Sequence, residues 1–256
     1  MPPTARVWLV LPTYNEAENV ERIVASARQY LPAGESRLLL VDDDSPDGTG
    51  QVADGLARAH DEVEILHRPR KEGIGPAYAA GFRRALDGGA ELVAQMDADF
   101  SHDPADLPRL IAASDDADLV LGSRYVEGGG VAEWGPTRRL ISRGGSAYAR
   151  AILGVEVRDL TGGFKVYRRA VLEHINLETI ASIGYAFQVE TTYRAVCAGF
   201  RVVEVPIVFH DRRVGESKMS GAIVWEAAVR VPLMRMERRG SDRNPPRRRD
   251  GPPRRI

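Results

Sequence analysis

The feature that most constrains the fold is a regular alternation of short apolar runs with helical patterns over the first half of the chain. Apolar runs of strand length lie at residues 6–11, 37–41, 62–66, 90–95 and 119–122. Helical patterns separate them at residues 16–31, 49–60, 76–86 and 104–112. This alternation predicts a mainly parallel sheet with helices on both faces, folded as a single α/β domain.

Length and composition agree with one globular domain. The chain has 256 residues, of which 43% are hydrophobic and 28% charged, and its formal net charge is -1. We find no apolar run long enough to span a bilayer and no secretory signal, and the single cysteine, Cys197, excludes an internal disulfide. These observations predict a cytoplasmic protein and exclude disordered, fibrous and disulfide-rich classes.

Two aspartates follow the apolar run at residues 90–95. Side chains of an extended backbone alternate between faces, so Asp97 and Asp99 are expected to point the same way past the end of the strand. Paired carboxylates without a neighbouring cation suit Mg²⁺, which proteins hold through one or two carboxylates together with substrate phosphates. An acidic turn is the alternative, because Asp is common in turns.

Two more polar segments follow strands, and these are Pro12–Glu16 and Asp42–Asp47. In doubly wound sheets, ligands bind outside the carboxyl ends of the strands. We therefore expect both segments to share one crevice with Asp97 and Asp99. Pro12 is expected to end the first strand, and Thr13 or Asn15 to cap the helix that follows.

The second half of the chain is less regular. We predict a flexible loop at residues 127–130, a helix at 138–153, a further helix at 185–198, and a strand at 201–209 that Pro206 confines to a sheet edge. A polar loop at 210–218 suits an anion. Residues 241–256 are rich in Arg and Pro and are predicted to be disordered, which leaves residues 1–240 as the folded domain.

Six motifs occur in an order that resembles the dolichol- or polyprenol-phosphate mannose synthases, inverting family 2 glycosyltransferases of the Rossmann-like GT-A fold. The motifs are Pro12–Glu16, Asp42–Thr49, Met96–Asp99, Gly122–Tyr125, Gly184–Glu190 and Gly215–Lys218. The resemblance covers about residues 5 to 225. Asp44 departs from it, because the family usually has Gly there, although Asp tolerates left-handed backbone geometry better than most residues.

The resemblance implies a role for each matched residue. Asp97 and Asp99 would bind Mg²⁺ or Mn²⁺, and Gln188 and Glu190 would lie near the sugar. GDP-mannose would be bound by these residues together with Pro12, Tyr14, Glu16, Val41, Asp42, Asp43, Ala98, Arg212 and Lys218. The catalytic set would be Asp99, Arg124, Arg212 and Lys218.

The reaction that the resemblance implies needs cations more than it needs a base. Negative charge builds on the leaving diphosphate, and a phosphate monoester acceptor is already mostly dianionic at neutral pH. A general base is therefore dispensable, unlike in transfer to a hydroxyl group. We predict that Arg124, with Arg138 or Arg143, binds the acceptor phosphate.

The lipid acceptor implies contact with a membrane surface. Apolar residues alternate with arginines over residues 223–239, as in an interfacial amphipathic helix, although packing on the domain's own core is an alternative for residues 223–229. The arginine-rich tail would add attraction to anionic lipid. We predict peripheral association with the cytoplasmic face of the membrane, directly or through an integral membrane anchor protein.

Two other functions fit the same motifs. One is a polyprenyl-phosphate glucosyltransferase that uses UDP-glucose, although such enzymes usually carry C-terminal membrane spans. The other is a non-catalytic nucleotide-sugar-binding protein, which would be expected to have lost the Asp97/Asp99 pair or the cationic loop. Nucleic acid is not an expected partner, because the folded region shows no basic and aromatic platform.

Overall fold

The computed structural model describes residues 6–180, 182, 184, 186–211 and 229–237. The predictions for Arg212 and Lys218, for the segment 223–228 and for the tail 241–256 lie outside the described residues. Among the described residues, no helix is both long and apolar enough to cross a bilayer.

The described chain contains strands and helices in alternation up to residue 123, as predicted. The strands are β1 (Val7–Thr13), β2 (Ser36–Asp42), β3 (Val63–His67), β4 (Leu92–Gln95), β5 (Leu119–Ser123), β6 (Gly130–Val131), β7 (Lys165–Arg168), β8 (Val202–Pro206) and β9 (Val208–Phe209). The helices are α1 (Ala17–Tyr30), α2 (Thr49–Ala59), α3 (Ile74–Asp87), α4 (Leu107–Ala113), α5 (Pro136–Leu153), α6 (Arg169–His174) and α7 (Ala186–Cys197). Residues 229–237 are also helical.

Seven of the strands form one sheet in the order β3-β2-β1-β4-β7-β5-β8. All neighbouring pairs are parallel except those of β7, which lies antiparallel between β4 and β5. The mainly parallel α/β sheet is therefore confirmed. The apolar pattern of residues 165–168 does not reveal strand direction, so the antiparallel insertion was not predicted.

The sheet separates two apolar cores. On one side, Val10 and Val41 pack with α3, where Gly81 lies so close to Val10 that a Cβ atom could not be accommodated. On the other side, Leu9 and Leu11 pack with the buried face of α1, which includes Ile23. Both faces of β1 are buried, as its continuous apolar sequence predicts.

Three local predictions can be compared with the structure. The edge position of the strand containing Pro206 is confirmed, because β8 closes one edge of the sheet. The prediction that Pro12 ends the first strand is wrong, because β1 continues to Thr13. Pro12 lies beyond Val10, the last residue of β1 that pairs with β4, so its missing N–H disrupts no hydrogen bond on the β4 side. The loop at 127–130 also differs, because Gly130 pairs with Val208 in a small β6-β9 sheet.

Candidate functional site

The carboxyl ends of β1, β2 and β4 lie side by side at one edge of the sheet. The register pairs Pro12 with Val41 and Thr13 with Asp42, while Val10 pairs with Gln95, the last residue of β4. Because these strands are parallel, the segments that follow them emerge together. The predicted convergence of the three polar segments is confirmed.

The loop after β2 holds the beginning of α1. Asp47 accepts hydrogen bonds from the N–H of Ala17 at 3.1 Å and of Thr49 at 3.0 Å, and Thr49 Oγ1 accepts one from the N–H of Glu16 at 2.9 Å. Burial raises the pKa of Asp47, but the hydrogen bonds from Thr49 and Ala17 outweigh it and leave the pKa below its ordinary value. The predicted caps at Thr13 and Asn15 are wrong, because the capping groups come from a loop that is distant in sequence.

The two acidic residues at the end of β2 are both buried. Asp42 accepts hydrogen bonds from the Ser45 hydroxyl at 2.5 Å and the Ser45 N–H at 3.2 Å. Asp43 forms an ion pair with Arg68, and burial raises its pKa despite that pair. Arg68 was missed in the sequence, although it follows β3 directly at the same sheet edge. Asp44 adopts a left-handed φ of 59°, as its replacement of Gly predicts.

Tyr14 has a cationic neighbour in the loop that follows β3. Lys71 Nζ is 3.6 Å from the centre of the Tyr14 ring, and Glu72, the next residue, donates its N–H to Asp43 at 3.4 Å. Glu16 accepts a hydrogen bond from Asn19 at 2.8 Å and stands at the first turn of α1. The loop between β3 and α3, residues 68–73, therefore contacts the predicted nucleoside-binding residues Tyr14 and Asp43.

Asp97 and Asp99 stand at the end of β4, each with its own hydrogen-bond donors. Tyr78 donates to Asp97 at 2.8 Å, and burial, followed by the charge of Asp97, raises the pKa of Tyr78 well above its ordinary value. Ser101 donates to Asp99 through its hydroxyl at 2.6 Å and its N–H at 3.0 Å. Phe100, which lies between Asp99 and Ser101 in the chain, has a φ of 61° that few non-glycine residues adopt.

The chemistry of this pair fits a hard divalent cation. Asp99 is 5% exposed and its neighbour Ala98 is 3% exposed, while the Asp97 side chain is 22% exposed. No cluster of three or more His, Cys, Asp or Glu side chains suited to a metal occurs in the described part of the chain. Two carboxylates are a protein ligand set that suits Mg²⁺, which usually keeps waters and binds substrate phosphates as well.

Arg124, at the end of β5, belongs to a buried ion pair. Its Nε and Nη2 atoms each donate to a different oxygen of Asp159 at 2.7 Å, and Nη2 also donates to Thr161 at 2.8 Å. Burial raises the pKa of Asp159, but the charge and hydrogen bonds of Arg124 leave it below its ordinary value. Asp159 was not predicted as a site residue, and its sequence gives no signal of this pairing.

Arg138 and Arg143 both lie on α5, and only Arg138 reaches a described carboxylate. Arg138 Nη1 donates to both oxygens of Asp211 at 2.8 Å, and its guanidinium lies 4.3 Å from the ring centre of Trp134. Arg143 is exposed, and its guanidinium lies 5.7 Å from the centre of the Tyr125 ring. The Arg124 guanidinium lies 5.2 Å from the centre of the same ring. The three predicted acceptor-binding arginines thus surround one aromatic region.

Gln188 connects α7 to the strand that carries the aspartates. Gln95 donates to Gln188 Oε1 at 2.7 Å, and Lys165 donates to the Gln188 carbonyl at 2.7 Å. Thr191 and Thr192 also accept from Lys165, which is fully buried, and burial lowers its pKa to about 7. Lys165 was missed in the sequence because a lysine in a strand is ordinarily exposed.

Glu190 faces away from Gln188, because positions two apart on a helix project in nearly opposite directions. It accepts hydrogen bonds from Ser182 and, at 2.5 Å, from Arg194, and it lies 3.6 Å from Arg230 in the helix at 229–237. The described structure therefore joins Glu190 to the C-terminal helix, whereas Gln188 lies on the side of β4. The predicted role of Glu190 near the sugar stays a prediction.

Comparison with known proteins gives a consistent result. The model of the family described as "Glycosyl transferase family 2" matches residues 8–175. The chain is 49% identical over 226 residues to an undecaprenyl-phosphate mannosyltransferase of Micrococcus luteus, covering 88% of the chain and 92% of that relative. It is also 49% identical over 232 residues to a polyprenol monophosphomannose synthase of Mycolicibacterium smegmatis, covering 90% of the chain and 86% of that relative.

Solved structures share the fold at lower identity. Glucosyl-3-phosphoglycerate synthase from Mycobacterium tuberculosis, in complex with Mn²⁺, UDP and glucosyl-3-phosphoglycerate, superimposes with a TM-score of 0.66 at 18% identity, covering 92% of this chain and 80% of that one. A mannosyltransferase from Pyrobaculum calidifontis in complex with GDP-Man and Mn²⁺ gives a TM-score of 0.59 at 18% identity, covering 94% and 67%.

Proposed function

The chain belongs to glycosyl transferase family 2, and from this premise we propose that it transfers mannose from GDP-mannose to a polyprenyl phosphate. The observation that carries the proposal is the 49% identity, over most of both chains, to two relatives named for mannosyl transfer to such lipids. The acceptor phosphate oxygen would attack the anomeric carbon as the bond from that carbon to the GDP oxygen breaks. The products are GDP and polyprenyl phosphomannose.

The donor would bind at the shared edge of β1, β2 and β4. Thr13 pairs with Asp42 in the register and Tyr14 directly follows β1, so a nucleoside placed there would meet the acidic pair and an aromatic side chain. Pro12, Glu16 and Val41 complete the surface. Asp43 is already neutralised by Arg68, which makes Asp42 the stronger candidate to accept hydrogen bonds from a guanine base or a ribose.

Asp97 and Asp99 would hold Mg²⁺ or Mn²⁺. When bound, such an ion supplies positive charge opposite the leaving diphosphate. The chain's own contribution is to fix the two carboxylates: Tyr78 restrains Asp97 from one side and Ser101 restrains Asp99 from the other. Mn²⁺ is bound in both of the solved structures described above, which supports the same class of cation here.

The acceptor phosphate would bind between β5 and α5. Arg138 is the strongest candidate to bind the phosphate, because both members of its ion pair are partly exposed. The Arg138 side chain is 26% exposed and that of its partner Asp211 is 37% exposed. Arg124 is buried and committed to Asp159, so it would orient the site as much as bind the ligand. Since a phosphate monoester needs no deprotonation at neutral pH, this arrangement of arginines suffices without a general base.

The acceptor is a membrane lipid, and the enzyme would work at the cytoplasmic face of the membrane. The described residues contain no helix that could cross it. Peripheral binding or an integral anchor protein would bring the site to the lipid. Loss of vesicle binding on deletion of residues 241–256 would support a role for the arginine-rich tail, and unchanged binding would exclude one.

The decisive experiment measures transfer of radiolabel into the organic phase. Purified protein, Mg²⁺ and polyprenyl phosphate are incubated with labelled GDP-mannose or, separately, with labelled UDP-glucose. We expect label from GDP-mannose alone, and Asp97→Asn and Asp99→Asn should abolish it. Transfer from UDP-glucose alone would identify the glucosyltransferase alternative, and nucleotide-sugar binding without transfer would identify the non-catalytic one.

The acceptor assignment is tested by KM values in the same assay. Arg138→Ala and Arg143→Ala should raise the KM for polyprenyl phosphate and leave that for GDP-mannose unchanged. Arg124→Ala is a poorer test, because it leaves Asp159 buried without its partner and is expected to destabilise the fold. A raised donor KM with an unchanged lipid KM would contradict the assignment.

A further inference from the structure

The donor half and the acceptor half of the proposed site lie on different strands. Asp97 and Asp99 follow β4, whereas Arg124 follows β5, and β7 lies between these strands in the sheet. Neighbouring strands are about 4.8 Å apart, so two spacings separate the halves by roughly 10 Å at the level of the sheet. The reacting atoms of two substrates need a separation of about 3–3.5 Å. An element outside the sheet is therefore needed to fix one half relative to the other.

Residues 207–211, here called the connecting segment, bond to both halves. On the donor side, the N–H of His210 donates to the carbonyl of Ser101 at 3.0 Å, in the loop that carries the aspartate pair. On the acceptor side, both oxygens of Asp211 accept from Arg138 at 2.8 Å. Two consecutive residues of the connecting segment thus bond to opposite halves of the site.

Phe209 places its side chain between the same two halves. Its ring centre lies 5.2 Å from that of His102, with an angle of 82° between the planes, and 5.3 Å from that of Trp134, with an angle of 69°. Both contacts have the edge-to-face geometry that aromatic pairs prefer. The Arg124 guanidinium lies 5.4 Å from the centre of the Phe209 ring. One side chain therefore contacts both halves.

His102 transmits the position of Phe209 to the aspartate loop. Its Nδ1 atom accepts a hydrogen bond from the N–H of Asp97 at 3.4 Å. The His102 ring is 2% exposed, and its centre lies 5.3 Å from that of Phe164 on another side. The imidazole is thus held by Phe164 and Phe209 while it contacts the backbone of Asp97.

Trp134 has the corresponding place on the acceptor side. It is 7% exposed, and the Arg138 guanidinium lies 4.3 Å from its ring centre. A cation over an indole face is attracted to the ring, so the orientation of Trp134 contributes to that of Arg138. The rings of His102, Phe209 and Trp134 therefore form one continuous line of contacts from Asp97 to Arg138.

We propose that Phe209 is a positioning residue for sugar transfer, which holds the acceptor-binding arginines at the distance from Asp97 and Asp99 that the reaction requires. The inference rests on the proposed function, because that function places the acceptor phosphate at Arg138. Phe209 acts through His102 and Trp134 and needs no contact with either substrate. Its loss should therefore affect the reaction of bound substrates more than their binding, and a misplacement of about 1 Å can cost roughly 100-fold in rate.

The test compares the kinetics of Phe209→Ala, Phe209→Tyr and a matched control. In Phe209→Ala, kcat for transfer from GDP-mannose to polyprenyl phosphate should fall by about 10- to 100-fold, while both KM values change by less than about threefold. Phe209→Tyr keeps the ring and should restore kcat. The control is Phe200→Ala, because Phe200 also makes an edge-to-face contact with a histidine, His174, at 5.5 Å. It should leave kcat unchanged.

Two measurements need no transfer of sugar. Calorimetric titration with GDP and Mg²⁺ counts the competent sites, so that kcat refers to correctly folded protein. The indole N–H resonance of Trp134, identified by its loss in Trp134→Phe, reports the contact with Phe209 directly. It should move in Phe209→Ala, because the neighbouring ring is gone, and stay near its original position in Phe209→Tyr and Phe200→Ala.

The outcomes separate this inference from the proposed function. An unchanged kcat in Phe209→Ala, a loss that Phe200→Ala reproduces, or an unmoved Trp134 resonance would overturn the inference and leave the proposed function intact. A raised lipid KM at unchanged kcat would overturn it as well, because Phe209 would then act in acceptor binding. Transfer from UDP-glucose alone would refute mannosyl transfer, and the same loss of kcat with that donor would still support the positioning role. Absence of transfer from both donors would refute both.

Discussion

Replacing Asp159 by Asn should destabilise the protein far more than the same change in an exposed ion pair. Asp159 is fully buried, and both of its oxygens accept hydrogen bonds from Arg124. The Arg124 backbone N–H donates to it as well, at 2.9 Å. An amide would present an N–H₂ group to at least one of these donors and would leave the guanidinium buried without a counter-charge. Breaking a buried pair in this way costs about 3–5 kcal/mol.

Urea denaturation measures this cost as a shift of the midpoint at an unchanged m-value. The control is Glu173→Gln, which makes the same chemical change in the exposed Arg169–Glu173 pair, whose bond is 2.7 Å long. Exposed pairs contribute about 0–1 kcal/mol, so the control should be nearly neutral. Arg124→Met/Asp159→Leu should cost less than the sum of its two single changes, because neither charge then remains buried alone. Additive losses, or a loss below about 1 kcal/mol for Asp159→Asn, would refute this account of the pair.

Three further changes test separate features. Burial lowers the pKa of Lys165 to about 7 in the folded chain, so above pH 7 the unfolded chain holds a proton on Lys165 that the folded chain has lost. The free energy of unfolding should therefore rise from pH 7 towards pH 10. Lys165→Met should abolish this rise in urea titrations. Gly81→Ala should destabilise by about 1–3 kcal/mol through collision with Val10, whereas Gly55→Ala, in an open position of α2, should stabilise by about 0.5–1 kcal/mol in thermal unfolding. Asp47→Ala should cost about 1–2 kcal/mol through loss of the cap on α1. The donor KM, measured beside stability, should also rise, because Thr49, whose hydroxyl oxygen accepts the Glu16 N–H, loses the carboxylate to which it donates.

The convergence of the polar segments that follow β1, β2 and β4 was predictable, because their positions follow from local patterns. Apolar runs locate the strands, and parallel strands bring their carboxyl ends to one edge, so Thr13, Asp42 and Asp97 could be placed together without knowledge of any contact. The mainly parallel order needed no more than strand and helix alternation. Side-chain pairing was not predictable from the same signals. The partner of Arg124 is 35 residues away, and that of Asp43 is 25 residues away.

Polar residues in the core were the least predictable part. Lys165 is buried where the Gln188 carbonyl and the Thr191 and Thr192 hydroxyls accept its hydrogen bonds, and the buried Gln188 side chain accepts one from Gln95. Neither residue by itself signals burial. Placing them required β7 to run antiparallel between β4 and β5, which brings Lys165 against α7. Since an isolated strand pattern does not specify its direction, no inspection of residues 165–168 could have shown this network.

The two arginine pairs in the proposed acceptor region should respond to a phosphate in opposite ways. Asp159 is inaccessible and Asp211 is partly exposed, so an entering dianion can displace Asp211 from Arg138 but not Asp159 from Arg124. Removing the competing charge with Asp211→Asn should therefore lower the KM for polyprenyl phosphate several-fold, while Asp159→Asn should raise it or inactivate the enzyme. The effect of Asp211→Asn should vanish when Arg138→Ala is also present, because the cation for which Asp211 and the phosphate compete is then absent. A raised lipid KM in Asp211→Asn would show instead that Asp211 orients Arg138 as Asp159 orients Arg124.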